Sequence, residues 1–269
     1  MKLQFAVALV LLLVAAGASG QDFLSFKGPV KGLEIEQKLD AQLPLDLVFR
    51  DEEGEQVKLG DYFQKGRPVV INLVYFSCPM LCNVVLDSLT ASIADIKMEP
   101  GKDYELLTIS FDHRDTPKLA AEKKGIYSRR YGRRGADEGW HFLTTDEETV
   151  RKITSALGFR YAWDPKAQQF AHGTMTAVIT PEGKVSRYLF GIDNRARDLR
   201  LAIVEASNGK IGSPADQLLL LCYHYDPATG TYARQAMNLV RAGGVATVVA
   251  LAGFIFFLSR RPTDPASGA

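Results

Sequence analysis

The chain has 269 residues, 46% of them hydrophobic and 23% charged, with 32 Lys and Arg against 31 Asp and Glu for a formal net charge of +1. This is ordinary globular composition, with material for one large domain or two small ones. A charge balance so close to zero gives no support for nucleic-acid binding, and none is expected.

Met1-Lys2, the apolar run Phe5 to Ala16 and the small residues Gly17 to Gly20 read as a secretory signal over residues 1–20. The run is short for a spanning helix, so a cleaved peptide is preferred to an anchor. Asp22 to Gln37 shows no period and reads as an extended lead-in. Leu43 to Val48 is the first expected strand, Arg50 to Gly54 a turn and Gln56 to Leu59 its return, an N-terminal β-hairpin. Arg67-Pro68 then introduces Val69 to Phe76, a continuous apolar run that reads as a buried strand. It delivers Cys78 to a helix N-cap, with Pro79 at the first helical position and Cys82 one turn further in. Four-residue spacing puts both sulfurs on one face, where backbone N–H groups and the positive end of the helix dipole favour thiolate.

Leu81, Val84, Val85, Leu89, Ile93 and Ile96 continue that helix to about Lys97. Tyr104 to Phe111 is a second strand, leading through Asp112-His113-Arg114-Asp115-Thr116 to a helix opened by Pro117 and running to Tyr131. The basic run from Lys123 to Arg134 reads as a solvated helix face. Trp140 to Leu143 is a short strand, and Thr145 with Glu148 forms a capping box for a helix to Leu157. Gly158 to Phe170 reads as a loop or irregular strand. Thr174 to Thr180 and Val185 to Phe190 form a hairpin around Pro181-Glu182-Gly183-Lys184, and Arg195 to Ser207 is the last helix. Strands alternating with helices and ending in a hairpin predict an α/β fold, a thioredoxin-like sandwich over residues 21–207 with an N-terminal β-hairpin extension.

Residues 208–237 read as a helical extension that carries Cys222 and His224. Residues 239–259 hold the uncharged run Ala242 to Ser259, followed by Arg260 and Arg261, and read as a C-terminal transmembrane helix with a cytoplasmic tail. The expected protein is a single-pass membrane protein whose main domain lies on the extracytoplasmic, periplasmic side.

Two cysteines four apart in an exported domain leave three readings. A structural disulfide is poorly shaped within one helical turn. A redox pair would have one residue more than the thioredoxin spacing, and a metal site needs a third ligand. His141, at the head of a short strand, reads as structural, and His113 as a loop residue or an outer ligand. His172 begins the hairpin strand, and in a thioredoxin fold the loop before that strand packs against the cysteine helix, usually with a cis-proline. Two thiolates and one imidazole suit Cu(I) and accommodate Cu(II). Met80 and Met175 read either as flanking the copper or as core filler. Cys222 with His224 reads as a second copper or transfer site, or as an inert buried cysteine beside a histidine.

Three segments, YFSCPMLCN, SFDHRDTP and AHGTMTAVITPEGKVSRYLFG, occur in an order that resembles the Sco/SenC family, which delivers copper to the Cu-A centre of cytochrome c oxidase. The resemblance implies a thioredoxin-like fold and a copper site made by Cys78, Cys82 and His172, with Asp112 and Asp115 shaping the loop beside it. It implies a metallochaperone rather than an enzyme, whose partners are the copper-bearing subunit of the oxidase and other copper carriers. The competing reading is a thiol–disulfide oxidoreductase that reduces the cysteines of the oxidase copper site, with Cys78 attacking and Cys82 resolving. Four departures stand out. Asn83 replaces a common proline, Ala171 a usual aspartate and His113 a common proline, and the anchor is expected at the C-terminus rather than the N-terminus.

Overall fold

The computed structural model describes residues 33–63, 65–78, 81–207, 224–226, 231–233 and 244–254. Strands β1 (Val48–Arg50) and β2 (Gln56–Lys58) pair antiparallel and lead into a short 3-10 helix, Leu59–Tyr62. The first strand therefore starts at Val48 and not at Leu43. Leu43 and Leu47 are buried all the same. The segment ahead of β1 folds onto a distant turn, where Leu43 N–H donates to the Gly183 carbonyl and Val185 N–H to the Ala41 carbonyl. Apolar residues report burial, and here burial comes without a strand.

The chain continues through β3 (Val69–Val74), α1 (Leu81–Asp95), β4 (Glu105–Ser110), α2 (Pro117–Tyr131), a short α3 (Gly135–Gly139), β5 (Trp140–Leu143) and α4 (Glu147–Ala156). Then follow β6 (Tyr161–Asp164), β7 (Gln169–His172), β8 (Met175–Ile179), β9 (Val185–Phe190) and α5 (Ala196–Ala206). A five-stranded sheet in the order β5-β4-β3-β8-β9 carries the core. Strands β3, β4 and β5 run parallel, whereas β8 is antiparallel to both β3 and β9. Every residue of β3 and β4 is buried, as expected of strands covered on both faces. Helix α1 packs against both α2 and α5. The architecture is α/β with a central mixed sheet.

Helix α2 begins as its sequence requires, with Thr116 accepting the Leu119 N–H and Pro117 in the first turn, and it stops at Gly132 in the left-handed region (φ 74°). Helix α4 does not use the expected capping box. Its cap is Asp146, whose Oδ1 accepts the Thr149 N–H at 2.9 Å. The Thr145 hydroxyl donates instead to the Val48 carbonyl at 2.8 Å, and Glu148 pairs with Lys152. A tertiary contact thus takes the side chain that local pattern assigns to the cap.

The stretch expected to be a loop, Gly158 to Phe170, holds most of a second hairpin. Strands β6 and β7 pair antiparallel as a two-stranded sheet of their own, with Tyr161 opposite His172. His172 therefore closes β7, and Gly173-Thr174 leads on to β8.

Residues His224–Asp226 (β10) and Thr231–Ala233 (β11) form another antiparallel pair. The helix expected at 213–221 and Cys222 lie outside the described residues, as does the signal segment 1–20. Within the expected span, residues 244–254 are helical and exposed, and the rest of 239–259 lies outside the described residues. Among the described residues no helix is long and apolar enough to cross a membrane.

Candidate metal centre

Strand β3 ends at Val74, and the next four residues turn the chain towards α1. Cys78 N–H donates to the Tyr75 carbonyl at 3.2 Å, which closes that turn. The loop after β4 holds it from the side. Asp115 Oδ2 accepts the Phe76 N–H at 2.6 Å and the Ser110 hydroxyl at 2.6 Å. Parallel neighbours place the carboxyl ends of both strands at one edge of the sheet, which is why residues almost forty positions apart meet there.

Cys78 and Cys82 are buried and are not joined in a disulfide. The Cys82 N–H points at Cys78 Sγ at 3.5 Å, so Cys78 satisfies one of the amides that the start of α1 leaves open. A hydrogen bond to Cys78, reinforced by burial, pushes the Cys82 thiol well above its usual range, with Lys123 opposing the shift. The Tyr75 phenol is also pushed up, first by burial and then by its hydrogen bond to Cys78. The Cys78 sulfur thus accepts the Cys82 amide at the head of α1.

His172 reaches the same end of the molecule from the β6–β7 hairpin. Its Nδ1 lies 2.7 Å from the Gly173 carbonyl. A carbonyl only accepts, so the proton is on Nδ1 and Nε2 presents a lone pair. Burial pushes His172 below its ordinary value, with the Gly173 carbonyl and Cys78 opposing the shift. The imidazole is therefore neutral near pH 7, the form that ligates metal. Its ring packs against Phe111 at 4.8 Å, Phe159 at 5.7 Å and Tyr75 at 6.0 Å between centroids. The aspartate missing at Ala171 is not needed to orient this ring, because the Gly173 carbonyl does it.

Among the described residues no three His, Cys, Asp or Glu side chains are already gathered into a metal-holding group. Cys78, Cys82 and His172 come to one end of the sheet without converging on a single point. Their chemistry, two thiols and an imidazole with its second nitrogen fixed, is a donor set that fits copper.

The SCO1/SenC family profile matches residues 36–204, the whole sheet with its helices. The chain belongs to the SCO1/SenC family. A putative electron transfer protein from Aquifex aeolicus VF5 has a similar structure, with a TM-score of 0.57 and 24% identity over 64% of this chain and 96% of that one. BsSco, a member of the Sco family of cytochrome c oxidase assembly proteins, gives 0.51 and 19% identity over 65% and 99%. Arabidopsis thaliana ScoI with copper bound gives 0.50 and 18% over 64% and 99%. No curated protein matches the chain.

In this SCO1/SenC chain the side chains around the cysteines have mechanical tasks. Both oxygens of Asp112 are occupied by Arg114, Oδ1 by Nε at 2.7 Å and Oδ2 by Nη2 at 2.7 Å. Burial raises the Asp112 carboxyl, but these bonds more than offset it and hold the group below its usual range. The Arg114 guanidinium in turn lies over Trp163 at 4.8 Å and Phe170 at 5.4 Å, which ties the β4 loop to the β6–β7 hairpin. Asn83 accepts from Lys123 at 2.8 Å and from the Tyr127 hydroxyl at 3.3 Å. His113 is exposed. His141 lies 3.3 Å from Glu52 and against Tyr62, a structural setting as expected. Met175 is buried at the start of β8, whereas Met80 lies outside the described residues.

The basic run is not simply a solvated face. Lys124 pairs with Glu52, Arg130 with Asp87, and Arg133 reaches the Ala94 and Ile96 carbonyls at the end of α1. These contacts hold α2 in place. Sequence reasoning gave Tyr75, Arg114 and Lys123 no role at the site. Tyr75 hides in the apolar run, and nothing local marks the other two.

Proposed function

We propose that this protein is a membrane-tethered extracytoplasmic copper chaperone that holds one copper ion through Cys78, Cys82 and His172. It passes the ion to the Cu-A centre of cytochrome c oxidase by ligand exchange with the copper-bearing subunit. The observation that carries this reading is the His172 imidazole, fixed through Nδ1 by the Gly173 carbonyl, at the same end of the sheet as two buried cysteines that are not joined in a disulfide. The copper-bound Arabidopsis ScoI and the oxidase-assembly role given for BsSco support it as properties of proteins with the same fold. In the proposed organisation residues 1–20 are a signal, 21–207 the copper domain, 208–237 an extension and 239–259 the membrane anchor. The exposed apolar residues of the 244–254 helix support the anchor.

Copper supplies a soft Lewis acid to this site. Cys78 and Cys82 would each give up a thiol proton and hold the ion as thiolates, and His172 would offer Nε2. The aromatic rings of Phe111 and Phe159 keep water from the imidazole. Thiols must be reduced to act, so copper loading depends on redox state.

The Cys82 amide, which donates to Cys78 Sγ at the start of α1, also favours a second reading, thiol–disulfide exchange. The Cys78 thiolate would attack a substrate disulfide and form a mixed disulfide, releasing one substrate thiolate. Cys82 would then displace the other, leaving a Cys78–Cys82 disulfide and a reduced substrate. Anaerobic Cu(I) competition titration separates the readings. Cys78→Ser and Cys82→Ser each abolish tight binding, and His172→Ala weakens it by about tenfold or more. Unchanged affinity in His172→Ala, with disulfide reductase activity intact, sinks the chaperone reading.

A further inference from the structure

We infer that the outward face of α2 is a docking surface for anionic lipid headgroups, built from Lys118, Arg129 and Arg134 around Ile126, and that it lays the domain on the bilayer that anchors the chain. The inference rests on the tether reading above and not on the copper site. Lys118, Glu122, Ile126 and Arg129 follow one another at intervals of four, four and three, so they form one stripe along the helix. All four are exposed, Ile126 to 43%, and Arg134 is exposed just beyond the helix end. Ala120, Tyr127 and Tyr131 face the other way, into the core.

The cations from Lys118 to Arg134 divide into two sets. Lys123, Lys124, Arg130 and Arg133 are engaged within the protein, by Asn83, Glu52, Asp87 and the end of α1. The side chains of Lys118, Arg129 and Arg134 make no hydrogen bond or ion pair among the described residues. Glu122 is the one acid on α2, and the carboxylates of Asp137 and Glu138 on α3 pair with none of the three cations. Unpaired positive charge therefore faces outward. The relief of the face selects lipid over protein. Ala121 and Gly125 lie among the cations, and Arg129 runs along Gly125, where a Cβ would stand 3.3 Å from its Nη1. A low face with no aromatic anchor offers a protein partner neither knob nor pocket, whereas a plane of headgroups needs only charge and a little apolar surface. Such contact is weak from free solution, and a tether raises the effective concentration of lipid.

The test uses the full chain in nanodiscs of phosphatidylcholine, with or without phosphatidylglycerol. Lysines are acetylated with a neutral reagent and their rates read by mass spectrometry, Lys118 against Lys166, which is exposed between β6 and β7. In low salt Lys118 reacts roughly fivefold more slowly in the phosphatidylglycerol discs, the scale of one basic side chain held at an anionic surface. High salt removes the difference, and Lys166 reacts alike in both discs. Arg129→Glu combined with Arg134→Glu returns Lys118 to its rate in phosphatidylcholine, and Arg129→Gln alone gives an intermediate rate. Lys124, held by buried Glu52, stays slow throughout and reports an intact fold. Equal Lys118 rates in the two discs overturn the inference, and shielding of Lys118 by added polyglutamate would then give the face to an acidic protein. Equal slowing of Lys166, or slowing of Lys118 that survives the double reversal, overturns it as well. A chain that stays out of the discs ends the tether proposal and this one together, whereas a chain that enters them with equal rates ends this one alone.

Discussion

Glu52 lies in the turn between β1 and β2 yet is buried. It accepts from the Phe142 N–H at 2.9 Å, from His141 and from Lys124. Burial alone would raise its carboxyl; the bonds from His141, Lys124 and Phe142 outweigh burial and bring it from 4.5 down to about 2. A folded-state value below the unfolded one means that the stabilisation is complete above about pH 4.5 and is lost as the pH falls towards 2. The contribution is on the order of 3 kcal/mol. Urea unfolding between pH 7 and 2.5 should show that acid loss in wild type and a flatter acid limb in Glu52→Gln, with lower stability at pH 7. None of this is legible at Glu52 itself, which reads as one acid in an acidic turn. The two cysteines were legible because their spacing and their place after a buried strand are local facts. The place of Tyr75 was not, because its ring neighbours Phe111, Phe170 and His172 lie far along the chain and its ring fits the apolar run on its own.

Among the elements, β3 and β4 were the most readable, since continuous apolar runs between turn residues suit strands buried on both faces. The β6–β7 hairpin was the least. Its strands are four residues long and only partly buried, so neither alternation nor a continuous run marks them. What holds it down is made of side chains: Phe170 among Tyr75, Phe111 and Tyr161, and Trp163 under Arg114. Arg114→Ala removes the guanidinium from both rings and leaves Asp112 with a buried, unpaired charge. Amide exchange in β6 and β7 should then quicken by roughly tenfold while β3 and β4 keep wild-type protection. Uniform acceleration across both sheets would show that Arg114 supports the whole fold and not the hairpin. The basic run of α2 teaches a related lesson, since charge pattern shows where cations are but not that Asp87, Asn83 and the end of α1 lie within their reach.

On the scale of the whole chain, the matched family region ends at residue 204, before the exposed apolar helix at 244–254. If that helix belongs to a membrane anchor as proposed, the full chain sediments with membranes through a high-salt wash. A chain ending at Ser207 then appears in the soluble extracytoplasmic fraction with its Cu(I) affinity intact. Recovery of the full chain in the soluble fraction would end the tether proposal.

The separate β6–β7 sheet also sets an order of events. The proposed sulfur ligands belong to the part of the molecule with the deepest core, while the proposed nitrogen ligand ends a hairpin that shares no ladder with the five-stranded sheet. If the site holds copper as proposed, hand-over would start at nitrogen. Withdrawal of His172 would vacate one position for an incoming donor while the cysteines kept their grip, so the cargo would at no stage be released into water.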